Sequence, residues 1–240
     1  MKLQRKGTRH SHRGVIGVES AIVMIAFVIV AAALAFVVLN MGFTTSQKAK
    51  TTIIAGLGES SSSMEVAGKV TGVGCTSSSS DTTCATTPKL NATAYPIKIS
   101  SGGDAVDLGT ATTAVKYLSN SVEYDDIYSG PITAAEHRSV TLAFRQAGSD
   151  GLTGYTTTAN NPVNGTLPTQ TAAIIYWSVQ SNTNAILDEG EHAVLAIGFA
   201  SADRPSALDT IRVEIIPATG ASMTVERQVP TITTSVVDLG

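Results

Sequence analysis

The sequence predicts an α+β protein in which a long N-terminal apolar helix precedes an all-β antiparallel head, and three observations carry that expectation. Residues 21–39 run for nineteen positions without a charge. From about Met64 onward the apolar pattern changes from a helical period to a period of two. Clusters of Gly, Ser, Asn and Pro then cut the remainder into seven or more short strands with no long amphipathic helix between them, the pattern of an antiparallel sandwich or barrel. The expected division is a basic leader over 1–14, an apolar helix over 15–58 and a β-head over 59–240.

Charge separates the leader from the rest. Lys2, Arg5, Lys6, Arg9 and Arg13 stand in a stretch that holds no acid, whereas the whole chain has 16 bases and 19 acids and a net charge of -3. Without the leader, 11 bases face 19 acids, a net charge of -8. The surface is then acidic and soluble, and no basic patch remains for nucleic acid. Only 15% of residues are charged and 5% are aromatic, in a sequence crowded with Gly, Ser, Thr, Ala and Val, as suits an extracellular β-protein.

The apolar run spans roughly 29 Å as a helix, the apolar thickness of a bilayer. It is apolar on every face, so it requires lipid or other apolar helices around it. The flanking bases keep its N-terminal side cytoplasmic and direct the following chain outward. It exceeds the apolar core of an ordinary secretory signal, about 7–15 residues, and Asn40-Met41-Gly42-Phe43 offers no small-residue cleavage site. A helix from residue 15 to about 55 would be roughly 60 Å long, so half of it lies beyond a membrane. That half is polar, with Thr44, Thr45, Ser46, Gln47, Lys48, Lys50, Thr51 and Thr52, before Gly56 and Gly58 weaken the helix. Ala31, Ala32, Ala33 and Ala35 either permit close helix–helix approach or serve only as good helix formers.

Immediately before the run stands His12-Arg13-Gly14-Val15-Ile16-Gly17-Val18-Glu19-Ser20. A basic residue and a glycine adjoin an apolar stretch whose start is interrupted by one carboxylate. This resembles the class III leader of archaeal type IV pilins, and of archaeal flagellins (archaellins) in particular, and the likeness extends over about forty residues of helix. Asp209-Thr210-Ile211-Arg212-Val213-Glu214-Ile215-Ile216-Pro217, with Gly220-Ala221 and Thr224-Val225-Glu226-Arg227, is similar to the family's terminal strand pair.

The resemblance implies an immunoglobulin-like sandwich head. It implies cleavage after Gly14 by a leader peptidase that reads Arg13 and Gly14, leaves Val15 as the new N-terminus and places Gly17 third and Glu19 fifth. It also implies a homopolymer, with the helices at the centre of the fibre and the β-heads outside, assembled from membrane-inserted subunits by a platform protein and an ATPase. Glu19 then has two readings. It pairs with the freed α-amino group of Val15 on a neighbouring copy, or it sits at the membrane interface where the helix dipole favours an acid. A swimming filament, an adhesive pilus and a membrane-anchored surface binding module remain the three candidate roles, in that order.

In the head, alternation marks Met64-Val66 with Val70, Ile97-Ile99, Val140-Leu142-Phe144 and Ile211-Val213-Ile215 as strands. The apolar runs 172–179 and 194–199 read as more deeply buried strands. Turns are expected at 100–103, 148–151 and 160–162. Cys75 and Cys84 lie in a Ser/Thr/Gly-rich loop, where export favours a loop-closing disulfide over two free thiols. Two ligands without a nearby histidine do not make a zinc site. Asn91-Ala92-Thr93 and Asn164-Gly165-Thr166 fit the N-glycosylation pattern, and both are expected in loops.

No signature of an enzyme or cofactor site is present: His137 and His192 are the only histidines beyond the leader, with no HExxH, nucleophile elbow or phosphate-binding glycine loop. Asp188-Glu189-Gly190-Glu191-His192 is the densest polar cluster and reads as an exposed turn in preference to a cation site. Asp125-Asp126 receives the same reading.

Overall fold

The computed structural model describes residues 13–61, 63–75 and 87–240. In chain order the elements are α1 (Arg13–Ser61), β1 (Met64–Val66), β2 (Thr71–Cys75), β3 (Lys89–Ile99), β4 (Val106–Asp107), β5 (Thr113–Leu118), β6 (Glu123–Tyr124) and β7 (Tyr128–Ile132). They continue with α2 (Val140–Asp150), β8 (Ala172–Val179), β9 (Ile186–Leu187), β10 (His192–Gly198), β11 (Thr210–Pro217), β12 (Met223–Gln228) and β13 (Val236–Asp238). The chain falls into two compact units that divide between Ala55 and Gly56.

Helix α1 is 49 residues long, about 74 Å at 1.5 Å per residue. It does not weaken at Gly56 and Gly58 as expected. A glycine costs a helix interior only about 0.8–1.0 kcal/mol, and the helix continues past both to Ser61. In the polar stretch the threonines close their own hydrogen bonds: Thr44 and Thr45 both donate to the Met41 carbonyl, at 3.0 and 2.7 Å, and Thr51 and Thr52 both donate to that of Lys48, at 2.9 Å each.

The head has two main sheets. One runs β13-β2-β3-β10-β8-β7 with β1 also on β3, and the other runs β12-β11-β5-β6. A third, two-stranded piece joins β4 to β9. Tyr95, Ile97, Trp177 and Leu195 of the first sheet share one core with Val115, Tyr117, Ile211, Val213 and Val225 of the second. Two facing, largely antiparallel sheets with a common core are the sandwich the sequence predicts. Strand β11 alternates buried and outward residues because only one of its faces is covered. The first six residues of β8 are all buried, because the first sheet is covered on both faces.

The second cover is α2, and here the expectation fails. Val140-Leu142-Phe144 belongs to a helix, with Leu142 exposed and Ala143, Phe144, Ala147 and Gly148 buried at helical spacing. Ser139 caps its start, its side chain accepting from the Thr141 N–H at 3.2 Å. Gly151 ends it in the left-handed conformation, φ 66°, donating to the Ala147 carbonyl. The expected turn at 148–151 is therefore the end of this helix. Phe144, Ala147 and Tyr155 pack with Ile132, Ile174, Tyr176 and Ala196 as a second core on the far side of the first sheet. Strands β7 and β8 pair in parallel, a departure from the antiparallel expectation, and α2 supplies the crossover that a parallel pair requires.

Tyr155 ties this layer to the sheet. Its hydroxyl donates to the Ala172 carbonyl at 2.9 Å and accepts from the Gly198 N–H at 3.1 Å, so a side chain at Gly198 would collide with it. Leu208, just before β11, has φ 72° and is the only non-glycine residue with positive φ among the described residues.

Candidate functional site: the assembly helix and the head surface

The site with the broadest reach is α1 itself. Within its unit, Ile22, Met24, Phe27, Val30, Leu34, Phe36, Val38 and Leu39 point outward on all sides of the helix, each more than half exposed. The helix is long and apolar enough to cross a membrane. Its start covers Arg13, Gly14 and Val15, whose side chains lie outside the described set. At Gly17 a side chain would meet nothing within 4 Å, so the conformation leaves this surface open to another chain.

Glu19 is exposed two residues further on. With Ser20, Val23, Met24 and Phe27 it borders a shallow, largely apolar hollow. A carboxylate beside apolar side chains in this way requires a cationic partner or a wet interface when the helix is enclosed. Ala31, Ala32, Ala33 and Ala35 are exposed, and Ala31 and Ala35 stand one turn apart on one face, where the small side chains admit a neighbouring backbone.

In the head, Cys75 ends β2, buried and disulfide-bonded. Its expected partner Cys84 lies outside the described residues.

The two sequons differ sharply. Asn91 is not in a loop: it sits in β3, 8% exposed, its amide donating to the Pro162 carbonyl at 3.1 Å and its oxygen accepting from the Arg204 guanidinium at 3.2 Å. Thr93 of the same sequon is fully buried. The expectation for Asn91 is thereby corrected, because a glycan cannot join an amide nitrogen enclosed in the core and engaged there. Asn164 lies in an exposed loop, with Thr166 exposed beside it and donating to the Ala159 carbonyl at 2.8 Å.

The acidic cluster before β10 also departs from its reading. Asp188 is half-buried and Glu189 exposed, but Glu191 is only 2% exposed. One of its oxygens accepts from the Trp177 indole N–H at 3.0 Å and the Asp188 N–H at 3.3 Å. The other accepts from the Ser181 N–H at 2.7 Å and the Asn182 N–H at 3.4 Å. This carboxylate holds the 180–190 loop to the core tryptophan, a role its setting among turn residues concealed. Among the described residues no group of three or more His, Cys, Asp or Glu is placed to hold a metal ion. Asp125 and Asp126 are exposed, and Asp126 accepts from the Val115 and Tyr128 N–H groups at 3.1 and 2.9 Å, closing the turn between β6 and β7.

Comparison with known proteins follows the same outline. The family model described as archaeal-type flagellin matches residues 14–227. A probable flagellin of Aeropyrum pernix is 34% identical over 221 residues, covering 91% of this chain and 92% of its own. A flagellin, FlaB2, of Saccharolobus shibatae is 30% identical over 139 residues, covering 52% of this chain and 39% of its own. Among solved structures, the archaeal flagellum of Methanospirillum hungatei matches with a TM-score of 0.57 at 22% identity, over 93% of this chain and 99% of its own. The archaeal flagellin FlaB1 of Methanocaldococcus jannaschii matches with a TM-score of 0.53 at 16% identity, over 74% of this chain and 96% of its own.

Proposed function

The chain belongs to the archaeal-type flagellin family, and on that premise we propose that it is the structural subunit of an archaeal swimming filament, polymerised outside the cell by its N-terminal helix. The observation that carries this reading is α1: a 49-residue helix whose residues 21–39 are apolar on every side and project their large side chains outward. In a homopolymer those side chains bury one another, and identical subunits in heterologous contact form an open fibre.

The precursor enters the membrane through residues 21–39, with the basic leader on the cytoplasmic side. A leader peptidase removes residues 1–14 after Gly14, reading Arg13 and Gly14, and frees the Val15 amine. That amine then pairs with Glu19 of an adjacent copy and sets the stagger between helices. Lipid already keeps the apolar side chains out of water, so moving the helix into a fibre gains little from the hydrophobic effect. Assembly accordingly needs a membrane platform protein and an ATPase. The head forms the outer wall, closed at one loop by a Cys75–Cys84 disulfide and carrying a glycan at Asn164.

The test is a charge in the middle of the helix. Ala32→Asp is expected to abolish filaments while the head keeps its native Trp177 fluorescence, because an unpaired carboxylate in a dry helical core is strongly unfavourable. Normal filaments from this variant would show that the helix forms no such core. Mass spectrometry of the N-terminal peptide from sheared filaments should begin at Val15, and an intact Met1 would remove the leader assignment.

A further inference from the structure

A glycosylation sequon is read through two side chains, the asparagine amide that accepts the sugar and the hydroxyl two residues on, which serine and threonine both supply. In residues 164–166 the first is presented and the second is held. Asn164 is exposed. The rest of the tripeptide is bonded inward: Gly165 N–H donates to the Asn161 carbonyl at 2.7 Å, and the Thr166 N–H and hydroxyl both donate to that of Ala159, at 2.9 and 2.8 Å. Gly165 lies so close to this backbone that a β-carbon on it would stand 2.5 Å from the Ala159 oxygen.

Two buried asparagines hold the loop in that shape. The Asn160 side-chain oxygen accepts from the Thr157 N–H at 3.1 Å and its amide donates to the Leu167 carbonyl at 3.2 Å, which joins the two ends of the loop. The Asn161 side-chain oxygen accepts from the Val163 N–H at 3.1 Å and its amide donates to the Thr141 carbonyl at 2.9 Å, which ties the loop to α2. A transferase that encloses the acceptor amide and the hydroxyl together has no access while one side of the tripeptide lies against residues 159–161.

The other sequon argues against transfer to a wholly unfolded head. Such a chain would offer Asn91 as readily as Asn164, and a sugar on Asn91 has no room in the folded head, where that residue is enclosed. Strand β3 is paired on both sides, by β2 and β10, whereas residues 157–167 lie outside every strand and are held mainly by the polar bonds above. Segments of that kind open locally while paired central strands stay closed.

We propose that residues 157–167 are a latch on Asn164: the closed loop is not a substrate, and sugar is transferred to a head whose sheets are formed and whose loop has opened locally. In that step the Asn164 amide nitrogen bonds to the anomeric carbon of a lipid-linked sugar, the bond from that carbon to the lipid phosphate breaks, and the amide gives up a proton to a base of the transferase. The proposal rests on the reading above in which Asn164 carries a glycan, and adds what controls its attachment.

The test uses the full-length chain produced without sugar and dispersed in detergent, with archaeal membranes that supply an oligosaccharyl transferase and its lipid-linked donor. Glycopeptide mass spectrometry follows both sequons, and Trp177 fluorescence reports that each variant is folded. Gly165→Ala keeps the sequon as Asn-Ala-Thr, the same tripeptide as residues 91–93, but forces it off the Ala159 carbonyl. Asn160→Ala unties the ends of the loop. Both variants should take up sugar at Asn164 about tenfold faster than wild type or more, with none at Asn91, and a peptide of residues 160–170 should react at least as fast as either. Wild type that reacts as fast as the peptide, or variants no faster than wild type, would overturn the proposal. Sugar that reaches Asn164 only together with Asn91 would overturn it as well, because that pattern marks global unfolding. A peptide that takes up no sugar would remove the glycan at Asn164 itself, a failure distinct from the others.

Discussion

Replacing Glu191 should be the most damaging single polar change in the head. Its carboxylate is almost fully buried and accepts four hydrogen bonds, two of them short, at 2.7 Å from the Ser181 N–H and 3.0 Å from the Trp177 indole. The other two, at 3.3 and 3.4 Å, contribute less. A hydrogen bond to a charged acceptor contributes about 1.5–3 kcal/mol, and a buried donor left without a partner costs about 1–3 kcal/mol. Relief from burying the charge offsets part of that sum. A net loss of about 3–5 kcal/mol is therefore expected for Glu191→Ala, against a total stability of about 5–15 kcal/mol.

Glu191→Gln keeps the shape and one acceptor oxygen but turns an amide toward backbone N–H donors, so about 2–3 kcal/mol should be lost. For a head of this size each kcal/mol moves the melting temperature by roughly 2–4 °C, which places the alanine variant about 6–20 °C below wild type. The reporter is built in, because Trp177 is the single tryptophan of the chain and donates to the carboxylate under test. Thermal unfolding followed by its fluorescence, with the exposed neighbour changed as Glu189→Gln for a control, measures the effect. If Glu191→Gln melts with the control, the four bonds contribute nothing net and the loop is held by other contacts.

Gly148→Ala should cost about 1–3 kcal/mol in the same assay, because the new methyl would lie 2.1 Å from the Thr157 carbonyl oxygen, a backbone atom that cannot rotate away. A variant as stable as wild type would mean that the 156–166 loop moves off α2 freely. Burial holds the His137 imidazole below the ordinary histidine range, with Asp150 acting weakly in the opposite direction. The unfolded chain therefore takes up a proton near pH 6.5 that the folded chain refuses, so stability is complete above about pH 6.5 and declines as the pH falls below it. His137→Gln should flatten that decline, and an unchanged pH profile would assign it to another group. In glycopeptide maps, Asn164→Gln should remove sugar mass from the head and Asn91→Gln should not, since Asn91 is enclosed. Sugar on Asn91 would contradict the fold of β3.

The helix and the deeply buried strands were readable because their signals are local and long. Nineteen uncharged residues, or the run 172–179, admit few alternatives. The errors fall where local pattern and tertiary setting part company. Val140, Leu142 and Phe144 alternate over only five residues, too short a span to separate a strand from one face of a helix; the informative residues were Ser139 and Gly151, which cap α2. Asn91 and Thr93 read as loop, yet both are buried in β3, and the partners of Asn91 come from Pro162 and Arg204, far away in the chain. Glu191 hid in the same way, behind turn residues and opposite a tryptophan fourteen positions earlier. The parallel pairing of β7 followed from the helix, so missing α2 meant missing it as well.

The threonines of α1 bear on a different matter, the change of surroundings that a filament helix undergoes. Thr44 and Thr45 share the Met41 carbonyl, and Thr51 and Thr52 share that of Lys48, seven residues on. Each hydroxyl thus brings its acceptor with it. A side chain hydrogen-bonded only to water would have to surrender hydration and find a new partner whenever its neighbourhood changed, whereas these four donors are already occupied before any other chain arrives. These four threonines can therefore pass from an aqueous boundary into close protein packing without leaving a hydroxyl donor behind.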